Sequence, residues 1–80
     1  MGIKEATVHR FKKICSQRGI SYNELANISG VSPSTVYSML DSNRHDISLI
    51  TVKKLVDGLD MRLDEFFSSE EFYELDQEIF

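Results

Sequence analysis

SYNELANISGVSPSTVYSML, residues 21–40, contains two short helical patterns that meet at Gly30. Ser21 stands three residues before Glu24, the spacing of a capping box in which each side chain satisfies a backbone N–H at the other's position. A helix is therefore predicted from about Tyr22, with Leu25, Ala26 and either Ile28 or Ser29 on its buried side. Ala26 is small enough to let another helix come close. Gly30 ends the pattern, because glycine adopts the left-handed turn conformation without steric penalty. Val31 should plug the core under that turn. Ser32 and Pro33 then restart a helix, with a hydroxyl at the N-cap and a proline at the first position, where its missing N–H costs nothing. This helix is predicted over about residues 33–40.

In the second helix Val36 and either Met39 or Leu40 share one side, and Ser34, Tyr37, Ser38 and Asp41 share the other. The outer side is short, polar and almost uncharged. Ordinary solvated helices carry long Lys and Glu side chains, whereas a helix lying in a DNA major groove needs short donors and acceptors that reach base edges. The pattern therefore points to a DNA-reading helix-turn-helix.

At this point the stretch resembles the lambda repressor-like, Cro-type (XRE family) helix-turn-helix regulators. Leu25, Ala26, Gly30, Val31, Val36 and Met39 carry the match. The segment FKKICSQRGIS before it resembles that family's first helix, and ISLITVKKLVDGLDMRLDEFF after it resembles the fourth and fifth, so residues 8–67 are covered. The resemblance implies an all-α, compact five-helix DNA-binding domain over residues 1–67. It also implies that the loop after the reading helix meets the DNA backbone, which assigns Asn43 and Arg44 to phosphates. Base edges are expected at Ser34, Thr35, Tyr37 and Ser38, with Tyr22 and Ser32 also positioned on the backbone. Two residues depart from the family. Cys15 stands where many relatives carry arginine, which removes one phosphate contact. Asp41 stands where asparagine is common, and it either caps the reading helix, accepts from a cytosine amino group, or lowers affinity by repelling phosphate.

The flanks fit one small domain. A first helix over Ile3 to Arg18 places Val8, Phe11, Ile14 and Cys15 at core spacing. Ser48 caps a fourth helix with Leu49, Val52, Leu55, Val56 and Leu59 as its apolar stripe, while Lys53 and Lys54 lie on its polar side. Leu63, Phe66 and Phe67 indicate a short fifth helix. Beyond it, Ser68 and Glu71 repeat the capping-box spacing, and Phe72, Leu75 and Ile79 follow at helical intervals. Residues 68–80 are accordingly expected to be an acidic amphipathic C-terminal helix or tail, either packed on its own domain or forming the seam of a weak homodimer. Dimerisation suits a two-fold operator, whose half-sites lie about 34 Å apart.

Formal net charge is −4, unusual for a nucleic-acid binder, but it divides unevenly. Residues 1–63 hold all nine basic side chains and six acids, a balance of +3, and residues 64–80 carry −7. The tail is expected to point away from phosphates, and non-specific binding should be weak and salt-dependent. One cysteine forms no internal disulfide, and neither a secretory signal nor a long apolar run is present, so a cytoplasmic location without membrane association is expected. His9, His45 and Cys15 lack the spacing of a zinc site; no metal, cofactor or small-molecule ligand is expected, the histidines being surface or phosphate-facing and Cys15 a small buried hydrophobe. No catalytic constellation suggests an enzyme. The rival reading is a protein-binding module on the same scaffold, such as an antitoxin, whose acidic tail engages a partner.

Overall fold

The computed structural model describes residues 1–44 and 46–79. Five helices follow in order: α1 Ile3–Arg18, α2 Tyr22–Ser29, α3 Pro33–Leu40, α4 Leu49–Gly58 and α5 Leu63–Phe67, with a single 3₁₀ turn at Glu70–Phe72. Local chemistry sets these limits. Ser21 Oγ accepts from Glu24 N at 3.1 Å while Glu24 Oε1 accepts from Ser21 N at 3.2 Å, completing the capping box. Gly30 ends α2 at φ 70°, and Val31 N donates to Ala26 O across the turn. Ser32 and Ser48 each accept from the backbone N–H three residues on, starting α3 and α4.

One core joins all five helices. Phe11, Leu25, Val36, Leu55 and Phe66 are fully buried, and the rings of Phe11 and Phe66 meet at 4.5 Å between centroids. Two arginines of α1 fasten the frame by donating to carbonyls at helix C-termini. Arg10 Nε reaches Phe66 O at 2.9 Å, and Arg18 Nη1 reaches Leu59 O at 2.6 Å. These bonds answer the orphan carbonyls that every helix leaves at its end.

Gly58 is the last residue of α4 and packs against Ser29, the last residue of α2. A Cβ there would fall 2.0 Å from Ser29 Oγ and 3.0 Å from Ser29 Cα, so backbone as well as side chain would have to move. Ser29, not Ile28, takes the inner position left open by the sequence; Ile28 is 55% exposed. Gly58→Ala is expected to destabilise by about 1–2 kcal/mol, since overpacking outweighs the helix propensity that alanine gains. Urea unfolding followed by circular dichroism measures this, and a stability equal to or above that of the parent chain would contradict the close contact.

Two expectations need correction. Leu49 is in helical register with Val52 and Val56 but is 72% exposed. Spacing fixes a residue's azimuth, and the core does not extend to the first position of α4. The sixth helix does not form beyond the one 3₁₀ turn. Ser68 Oγ donates back to Asp64 O at 2.6 Å, and Glu71 turns inward to Lys13 Nζ at 3.2 Å, so neither partner of the supposed capping box is available to the other. Phe72 packs against Phe66 and Phe67, whereas Ile79 is almost wholly exposed. Of its two expected placements the tail takes the first, folded back over its own domain. Burial alone raises a carboxyl pKa, but at Glu71 its own backbone N–H and Lys13 outweigh it and hold the pKa below the usual value.

Candidate nucleic-acid interface

The first turn of α3 is a cluster of hydroxyls. Ser32 Oγ accepts from Thr35 N at 3.3 Å and lies 2.8 Å from Thr35 Oγ1 and 3.1 Å from Ser34 Oγ. Ser32 therefore spends much of its bonding capacity on the helix start, while Ser34 stands exposed beside it. Val36 and Met39 are buried and pin the inner side. Opposite them Tyr37 is 52% exposed, and Thr35 and Ser38 lie half-buried at the margins. Eight residues give a helix about 12 Å long, close to the width of a B-DNA major groove, about 12 Å.

At the entry of α2, Tyr22 meets Tyr37 edge to face, with centroids 6.1 Å apart. Such pairs hold both rings in a defined orientation. The two tyrosines line an open groove of about 310 Å³ together with Lys12, Ser16 and Ile20. Cys15 forms its floor; burial pushes the thiol pKa up, against the opposing pull of Arg18, which leaves a protonated, unreactive sulfur.

Beyond the other end of α3 the chain turns at Asp41, which occupies the C-cap position. Its Oδ1 accepts from Asn43 N at 2.9 Å, and its carbonyl accepts from Arg44 N at 3.1 Å and from Lys4 Nζ at 2.6 Å. Of the three readings open for Asp41, the structure favours a role at the helix end, with the carboxylate shaping the loop. Asn43 and Arg44 are presented outward by that turn. Of the residues expected at the interface, Ser32, Ser34 and Thr35 lie at the start of α3, Tyr37 and Ser38 in its second half with Tyr22 against Tyr37, and Asn43 and Arg44 past its finish.

Most positive charge is used internally. Lys13 pairs with Glu71, Lys53 with Asp57, and Arg62 with Asp64, whose pKa the Arg62 hydrogen bond lowers. Among the described residues, Lys4, Arg10, Lys12, Arg18, Arg44 and Lys54 form no ion pair, and of these Arg10 and Arg18 are engaged with helix carbonyls. Lys4 and Lys12 line one groove beside Leu40 and Ser42, so α1 presents two ammonium groups alongside α3. Sequence reasoning did not single them out, since on α1 they look like any other solvated lysines. His9 is exposed and lies 3.9 Å from Glu71. His45 lies outside the described residues. No described helix is long and apolar enough to cross a membrane.

Glu78 shares a cleft with Lys4 and Arg44, beside a residue expected to meet phosphate.

Comparison with known families matches residues 10–71 to the Cro/C1-type HTH DNA-binding domain. No curated protein and no solved structure matches the chain.

Proposed function

Since the chain belongs to the Cro/C1-type HTH DNA-binding domain family, we propose that it is a cytoplasmic, non-enzymatic transcriptional repressor that reads one operator sequence. The observation that carries this reading is the outer face of α3, free of long charges and held rigidly by Val36 and Met39. Ser34, Thr35, Tyr37 and Ser38 read base edges. Tyr22, Ser32, Asn43 and Arg44 set the register on phosphates, with Lys4 and Lys12 adding positive charge along α1.

The molecule acts as a weak homodimer. A single domain of this size buries too little DNA surface for tight specific binding, and a two-fold operator brings two reading helices to successive turns of one groove. Leu49 and Ile50, adjacent and both more than 70% exposed, offer apolar surface for that contact now that the tail is engaged with its own domain. The internal pairing of so many cations favours the alternative, a protein-binding module. Against it stands the α3 face, which such a module has no reason to keep short and uncharged.

Arg44→Ala separates positioning from reading. It is expected to weaken preferred and random duplexes alike and to flatten the dependence of log affinity on log salt by about one, the signature of one lost phosphate contact. Fluorescence anisotropy across ~50–200 mM salt measures both quantities. A loss confined to the preferred sequence would instead make Arg44 a base reader, and no binding by the parent chain at any salt would overturn the DNA-binding reading.

A further inference from the structure

We propose that the C-terminal strap, residues 73–79, is a built-in autoinhibitory contact that competes with DNA phosphates for Lys4 and Arg44; this rests on the DNA-binding reading above. The strap leaves the 3₁₀ turn, where Phe72 and Glu71 anchor it, and runs back to the start of α1. There Asp76 N donates to Met1 O at 3.1 Å, and the Asp76 carboxylate lies 2.9 Å from the Met1 amino group. Glu78 Oε2 accepts from Ile3 N at 3.4 Å, at the positive end of the α1 dipole. A cleft of about 340 Å³ lies between α1 and the loop after α3; Lys4 and Arg44 line it with two carboxylates, Glu5 fixed on α1 and Glu78 brought in by the strap.

The consequence is electrostatic. Glu78 shares the cleft with both cations, so it lowers the positive potential there and repels a phosphate that approaches the same cleft. The strap is also held lightly. Past Phe72 its contacts are exposed and polar, and Leu75 and Ile79 remain accessible to solvent. Exposed ion pairs of this kind contribute little, and segments with few buried contacts open first. DNA, or any cationic partner that captures the acidic strap, can therefore displace it and free Lys4 and Arg44 together.

The test uses the full chain and a labelled random duplex of about 20 base pairs at ~50 and ~150 mM salt. One variant combines Asp76→Asn with Glu78→Gln. Its control, Glu70→Gln with Glu74→Gln, changes net charge equally at exposed acids that do not line the cleft. The strap variant is expected to bind about three- to tenfold tighter than the parent at low salt, with a salt slope steeper by up to about two, because each phosphate contact regained by Lys4 or Arg44 releases roughly one counterion. The control should shift affinity by less than about twofold. Equal gains for the two variants would reduce the effect to net charge and overturn the strap, as would no gain in either. If parent and variants all fail to bind at both salts, the DNA-binding reading fails first and the strap falls with it.

Discussion

Phe66→Ala is expected to leave the fold barely stable at 25 °C, with as much as about half of the molecules unfolded. The ring is fully buried, packs against Phe11, Phe67 and Phe72, and lies under the Arg10 guanidinium at 5.7 Å. It is the point where α1, α5 and the 3₁₀ turn converge. Removing a buried phenylalanine ring costs about 3–5 kcal/mol, transfer and cavity together. An 80-residue domain has a net stability of only about 5 kcal/mol. The mutation therefore removes most or all of it. Far-ultraviolet circular dichroism against urea provides the measurement, and Phe66→Leu should keep the fold at a smaller loss, since it retains most of the volume. A Phe66→Ala midpoint close to that of the parent would mean that α5 is dispensable to the core.

Tyr37→Ala is expected to cost about 1–3 kcal/mol on the preferred operator and much less on random DNA, so that specificity relaxes. Folding should survive, because half of the side chain already faces solvent. Part of the loss comes through Tyr22, whose ring is left without its edge-to-face neighbour at the phosphate-facing entry of α2. Tyr37→Phe keeps that pair and removes only the hydroxyl, so comparison of the two separates orientation of Tyr22 from hydrogen bonding to a base. Equal losses on preferred and random duplexes would end the assignment of Tyr37 as a reader.

The helices were legible because their limits are set locally. Ser21 with Glu24, Gly30, Ser32 with Pro33, and Ser48 each act on backbone groups within a turn of their own position, and all four perform as the sequence predicts. The polar face of α3 was legible for the same reason, since helical periodicity assigns each residue a side. What could not be read locally was where the core stops. Leu49 obeys the period of α4 yet extends past the packed region, and Ser68 with Glu71 has the right spacing for a cap while tertiary partners claim both side chains. Gly58 offered no local signal either, because its role depends on Ser29, 29 positions earlier in the sequence. Lys4 and Lys12 gained meaning only when α1 was laid beside α3, and Glu78 only when the strap returned to the N-terminus.

These failures share a cause with the electrostatics. A count of +3 over residues 1–63 treats all cations as available, but Arg10 and Arg18 serve helix carbonyls, and Lys13, Lys53 and Arg62 serve carboxylates. The cations that remain are Lys4 and Lys12 on α1, Arg44 in the loop after α3 and Lys54 on α4. On the proposed reading, binding with so few phosphate contacts draws its discrimination from base edges and from a second copy of the chain.

Selection of binding sites from random duplex DNA by the purified chain at ~150 mM salt, where non-specific binding is already weak, tests the reading of sequence most directly. A palindromic consensus with half-sites about one helical turn apart is expected, from two α3 helices reading successive major grooves. No enrichment at that salt or at lower salt would contradict the assignment of α3 as a reader and leave the scaffold as a protein-binding module.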